Sequence, residues 1–257
     1  MFDQAPAWVR EAVPANRNGN DFWAPEVIRL GDRYLLYYSV SSWGKNNSTI
    51  ALATNRTLDP ADPEYAWVDE GIVIRSTTGA DDFNAIDPGA VLDTDGNLWM
   101  TFGSFWGGIM LVQLDAKMGK RVAPDSPVHP LAKKEQIEAP CIYRHGGHYY
   151  LFVNWGWCCR GVNSTYNIRV GRSERITGPY LDRDGNDMRR GGGSLLLATD
   201  GPFIGPGHPT VLADGGKHWL ACHFYDPTQR GRGTLALLPL TWDADGWPVV
   251  ENERARQ

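Results

Sequence analysis

Residues 83–109 read FNAIDPGAVLDTDGNLWMTFGSFWGGI. An aspartate, Asp87, follows the apolar pair Ala85-Ile86 and precedes Pro88. A short apolar run comes next, then an Asp95-Gly96 turn, a second run rich in aromatics, and Phe105-Trp106 beside glycines. Two such runs around a glycine turn are the signature of a β-hairpin. The pattern recurs behind Pro25 (EVIRLGDRYLLYYSV), Pro140 (CIYRHGGHYYLFVNW) and Pro209 (TVLADGGKHWLACHF). The four prolines lie 63, 52 and 69 residues apart. A repeat of this size, each copy a meander, predicts an all-β chain of the β-propeller class rather than a sandwich.

Third strands are predicted at 48–54, 109–114, 167–173 and 234–240. Outer strands are predicted at 67–74, 195–198 and 247–250, with none assigned to the second unit. No amphipathic helix of ten or more residues is legible. The chain therefore reads as one domain, 1–257, with approximate blades at 21–80, 81–135, 136–200 and 201–257. Residues 1–20 fit none of these and read as the remnant of another blade, with 2–13 as an outer edge.

The 257 residues include 42% hydrophobic and 21% charged residues, enough for a large core. A net charge of -5 and the absence of a basic run argue against a nucleic-acid partner. No stretch approaches the length of a membrane span. The cysteines, Cys141, Cys158, Cys159 and Cys222, lack C-x-x-C spacing, so no zinc site is expected. Adjacent Cys158 and Cys159 fit either a vicinal disulfide or two thiols. Met1 is followed by neither a basic nor an apolar leader segment, so the chain as written predicts a cytoplasmic location.

The residues just before the prolines are Ala24, Asp87, Ala139 and His208, with Glu138 one step further back. If the units are equivalent, these positions are equivalent too, at one end of each inner strand near a shared channel. Two carboxylates and an imidazole there suit glycoside hydrolysis, in which paired carboxylates act as acid and base. Each has a plainer reading: Asp87 as a turn cap, Glu138 as a solvated loop residue after Lys133-Lys134, His208 as a satisfied buried histidine. The repeat favours function for Asp87, and the apolar setting Ile137-Glu138-Ala139 argues against simple solvation. Trp23, Trp43 and Trp106 stand where a channel mouth would be, and stacking on sugar faces is as good a reading of each as packing.

Longer motifs carry a resemblance. FWAPEV (22–27), YYSVSSWGKNNS (37–48), FNAIDPGAV (83–91), FGSFWGGI (102–109), EAPCIY (138–143), WCCRGVNSTYNIRVGRS (157–173), ITGPY (176–180), GPGH (205–208) and DGWPV (245–249) resemble the endo-1,5-α-L-arabinanases of glycoside hydrolase family 43. The resemblance spans essentially the whole chain. It implies a five-bladed propeller, with about four blades in this chain, that cleaves α-1,5-arabinan with inversion outside the cytoplasm. By the same resemblance Glu138 is the general acid and Asp87 the carboxylate that orients it and raises its pKa. Trp23, Trp43, Asn84 and Trp106 are substrate-binding. His208 is associated with a metal ion, often calcium, and no organic cofactor is implied. One departure stands out: the family's general base lies in a His-Asp-Pro motif, and these residues contain none. Asp3, read as part of an outer strand, is a poor substitute. Impaired hydrolysis is therefore expected of these residues alone, with two alternatives: a carbohydrate-binding propeller without catalysis, or an assembly in which a partner chain supplies the missing blade.

Overall fold

The computed structural model describes residues 4–16 and 21–252. Among them are seventeen strands and no helix longer than four residues. The strands form four antiparallel meanders, and such repeated meanders are the blades of a β-propeller. The chain divides into two compact units, Met1–Pro130 and Leu131–Gln257, each holding two of these sheets.

In the first unit, β1 (Phe22–Leu30), β2 (Arg33–Val40), β3 (Ser48–Asn55) and β4 (Val68–Ser76) pair in chain order. The second sheet runs β5 (Gly89–Leu92), β6 (Leu98–Phe102), β7 (Ile109–Asp115) and the two-residue β8 (Lys120–Arg121). A further strand, β9 (Val128–Ala132), also pairs with β7. The outer elements of this sheet escaped the sequence reading because β8 is so short and β9 carries His129-Pro130 in place of an alternating pattern. β3 and β6 are buried throughout, as expected of middle strands covered on both faces. Leu35, Tyr37, Ile50 and Leu52 of the first sheet pack with Leu98, Met100, Phe102 and Val112 of the second.

In the second unit, β10 (Ile137–His145), β11 (His148–Trp155), β12 (Asn167–Ser173) and β13 (Ser194–Leu197) form one sheet. The other runs β14 (Ile204–Asp214), β15 (Lys217–Asp226), β16 (Arg232–Trp242) and β17 (Pro248–Val250). Tyr150, Phe152 and Ile168 pack here with Leu220, Phe224 and Leu238. The inner hairpins turn on Gly146-Gly147 and Gly215-Gly216, all four at positive φ, between 53° and 85°. That is the demand of the two-residue turns whose twist matches paired strands, and only glycine meets it at no steric cost.

The expected outer strand at 2–13 is not what the chain forms. Phe2 and Asp3 lie outside the described residues. Beyond them is one helical turn, α1 (Val9–Ala12). Val9, Ala12 and Val13 are buried against Leu36, Tyr38, Val40, Ala51 and Ala53 of the first sheet. Apolar residues three and four apart bring one face of a helical turn together, so this spacing was a helical signal overlooked for want of length.

Candidate active site

The four residues before the repeat prolines share one unusual backbone state. Ala24, Asp87, Ala139 and His208 have φ of 47°, 58°, 53° and 54°. A left-handed conformation is uncommon for any residue with a Cβ, and a following proline restricts the backbone further. Such strain persists only where the surroundings over-determine it, and it gathers at functional sites. In three of the four sheets it coincides with a break in strand register, between Trp23 and Glu26, Glu138 and Cys141, and Gly207 and Thr210. The equivalence drawn from sequence thus holds at the level of the backbone.

Within each unit the first sheet's second strand fastens the next turn. Ser39, opposite Trp23, accepts the Asp87 N–H at 3.0 Å. Asn154, opposite Glu138, accepts the His208 N–H through Oδ1 at 2.7 Å. Ser39 and Asn154 were not among the residues singled out from sequence. Aligning the repeats on their second strands as well as on their prolines would have found both.

In the first unit Asp87 is 7% exposed and Asn84 is 3% exposed, so both side chains are withdrawn from solvent. The Asn84 Oδ1 is buried without a hydrogen-bond donor. An unmet acceptor of this kind costs about 1–3 kcal/mol, and a ligand hydroxyl would repay it. The Trp23 and Trp43 rings stand 5.6 Å apart at 49°, with Trp43 72% exposed. Trp106 is also exposed, on a loop that puts both it and Phe105 at positive φ. Exposed indoles beside buried polar groups are what a sugar needs, an apolar face for its C–H surface and fixed partners for its hydroxyls.

Glu26 directly follows Pro25, half-buried on β1, and its carboxylate accepts a hydrogen bond from the Ala90 backbone. Desolvation outweighs that bond and raises its pKa from 4.5 to about 7. The unfolded chain therefore ionises first as pH rises. This group's stabilisation is complete below about pH 4.5, declines between 4.5 and 7, and is lost above. Glu26→Gln keeps the acceptor and removes the titration. Solvent reaching a half-buried carboxyl reduces the full shift to an effect on the order of 2 kcal/mol. The variant should melt about 4–8 °C above wild type at pH 8 and level with it at pH 4, by calorimetry. Equal melting points at both pH values would refute the assignment.

In the second unit Glu138 is half-buried on β10, and the hydroxyl of the buried Tyr166 donates to its Oε1. Tyr166 lies against His223, ring centres 5.9 Å apart, and His223 meets Tyr225 edge-on at 5.2 Å. Desolvation pushes both His208 and His223 down to about 4, so both imidazoles are neutral at ordinary pH. The His223 Nε2 is buried without a partner. The structure thus brings Glu138 and His208 together through Asn154 and Tyr166. Tyr166 and His223 gave no signal in the sequence beyond their place in the segments 157–173 and 210–224, and Tyr225, just past the second, gave none.

A neutral imidazole can ligate a metal. Calcium, however, takes six to eight oxygen ligands, and among the described residues no three His, Cys, Asp or Glu side chains gather as a metal cage. The donors present fit an ion only if water fills most of its shell.

In the first unit a left-handed pre-proline turn carries the buried Asp87, and in the second unit another adjoins the tyrosine-held Glu138. The chain belongs to glycosyl hydrolases family 43, whose model matches residues 2–248. It is 42% identical to an extracellular exo-α-(1→5)-L-arabinofuranosidase of Cellvibrio japonicus over 98% of this chain and 76% of that one. It is 40% identical to an extracellular endo-α-(1→5)-L-arabinanase of Bacillus subtilis, covering 96% and 74%. Among solved structures, the α-L-arabinanase of Cellvibrio cellulosa complexed with arabinohexaose matches with a TM-score of 0.93 and 41% identity, over 100% of this chain and 84% of that one.

Proposed function

We propose that the protein hydrolyses α-1,5-linked arabinan or its oligosaccharides, with inversion, and works outside the cytoplasm. The observation that carries this reading is the Tyr166–Glu138 hydrogen bond on a left-handed pre-proline turn. It fixes a half-buried carboxyl where a general acid must be fixed, with little freedom to turn away from a leaving oxygen. Glu138 then protonates the leaving arabinosyl oxygen. Asp87 serves as the second carboxylate, keeping the acid protonated until it is needed. Asn84, Trp23, Trp43 and Trp106 seat the sugar rings. His208 takes an ion or a water, with calcium as the candidate. Two relatives that share at least 40% of aligned residues bear names placing them outside the cell and acting on α-(1→5)-L-arabinan linkages, which supports both location and substrate.

An inverting reaction also needs a base across the ring from the acid. No carboxylate among these 257 residues is assigned that part. Base assistance is worth about a hundred- to ten-thousand-fold. The 257 residues by themselves should therefore turn over slowly while still binding arabino-oligosaccharides.

The test is hydrolysis of debranched arabinan, with the first-formed anomer read by proton NMR. Release of the inverted sugar supports the proposal. Turnover of xylan but not arabinan would overturn the substrate, and a retained anomer would overturn the mechanism. Trp43→Ala should raise KM at least about tenfold with kcat little changed, as expected when stacking worth about 1.4 kcal/mol is removed from ground and transition states alike. An unchanged KM would remove Trp43 from the binding surface.

A further inference from the structure

The loop that follows β11 carries Trp157, Cys158, Cys159 and Arg160, a segment for which the proposed hydrolysis has no use. It is held firmly. The Trp157 N–H donates to Thr165 Oγ1 and the Thr165 N–H returns to the Trp157 carbonyl. The Arg160 N–H donates to Ser164 Oγ, and the Cys159 N–H donates to the hydroxyl of Tyr225 at 2.7 Å. These bonds fix Cys159 at a φ of 62° and set the two sulfurs side by side, 2.7 Å apart. Cys159 is exposed and Cys158 half-buried.

We propose that Cys158 and Cys159 form a redox-modifiable vicinal pair that cycles between dithiol and disulfide by exchange with small thiols and disulfides. Three features support it. The sulfurs are already placed for bonding by a loop whose backbone is pinned on both sides. The outer sulfur is open to solvent, and the Arg160 guanidinium lies over the Trp157 ring, 4.4 Å from its centre, in the same turn. The Cys158 thiol hydrogen-bonds to Cys159, and with Tyr225 it pulls the Cys159 pKa down to about 6, so Cys159 is largely thiolate at neutral pH. The thiolate is the nucleophile in disulfide exchange.

The Cys159 thiolate attacks one sulfur of a small disulfide, forming a mixed disulfide and expelling one small thiolate. Cys158 gives its proton to solvent and attacks the Cys159 sulfur, expelling the second. Two protein thiols are oxidised and one small disulfide is reduced to two thiols. Adjacent Cα atoms lie only about 3.8 Å apart, below the about 4.4–6.8 Å that disulfides prefer, so the bond formed is strained and readily reduced. That places it with labile disulfides rather than structural ones. Tyr225 leans on His223, and His223 on Tyr166, so the pair also stands behind the group that holds Glu138.

The native protein, reduced and then exposed to glutathione disulfide at neutral pH, should become lighter by two hydrogens. It should carry no glutathione, and dithiothreitol should restore the dithiol. Peptide mapping should place the link between Cys158 and Cys159. Cys158→Ser should instead stop at a stable glutathione adduct on Cys159. Cys158 and Cys159 both still open to alkylation after the exposure, or a lasting adduct on the wild-type protein, would overturn the proposal; Cys141 and Cys222 remain thiols in either case. The readout is mass alone, so it stands or falls independently of arabinan hydrolysis.

Discussion

Glu138→Gln is expected to lower turnover on arabinan by about a hundred- to ten-thousand-fold and to leave binding of arabino-oligosaccharides in place. Glutamine preserves size and can still accept from Tyr166, so the fold is not at stake. What disappears is the proton. The loss should therefore depend on the leaving group. An alkoxide from the next arabinose needs protonation as its bond breaks, whereas an acidic nitrophenol does not. On a nitrophenyl arabinofuranoside the variant should keep most of the wild-type rate. Equal losses on both substrates would mean that Glu138 supports the structure and does not donate a proton.

The second large effect is expected from one methyl group. A Cβ at Gly207 would fall 2.2 Å from Tyr166 Cδ2 and 2.9 Å from Asn154 Nδ2. No flexible chain end stands in the way, only a buried ring and an amide that already donates to the Pro206 and Asn167 carbonyls. Forced overpacking of this kind costs about 1–3 kcal/mol, often more when a ring must move. Gly207→Ala should thus lower the melting temperature by about 2–12 °C. It should also cut turnover sharply, because the displaced ring is the one that holds Glu138. Gly233→Ala is the control. Its Cβ would meet nothing within 4 Å, so stability should stay within about 0.5 kcal/mol. A Gly207→Ala protein as stable and active as that control would show that the Tyr166 contact has no mechanical importance.

The inner strands were the most legible part of the sequence because two independent signals marked each of them. A proline opened each unit and a turn glycine closed each hairpin, and the third strand of every sheet fell where the pattern put it, Asn167–Ser173 to the residue. The outer edges were less legible. β8 is only two residues long, and α1 packs through three small apolar residues with no cap to announce it. Such edges are set by tertiary packing, which overrides local preference. Of the candidate site, sequence gave the acidic and aromatic residues, because those types carry chemistry on their face. Ser39, Asn154, Tyr166 and Glu26 stayed hidden. Their importance comes from what they touch across strands, 48 residues away for Ser39 and 54 for Asn154, and only an alignment of one repeat on another makes such a contact visible in sequence.

The four left-handed residues make the blades interchangeable sockets. The same backbone seat holds a carboxylate at Asp87, an imidazole at His208, and only methyl groups at Ala24 and Ala139. Asparagine and aspartate tolerate that seat better than alanine does. Ala24→Asp can therefore install a new charged group in an existing mount without rebuilding the main chain. A propeller of this kind diversifies its chemistry by refilling seats, and its architecture need not change when its reaction does.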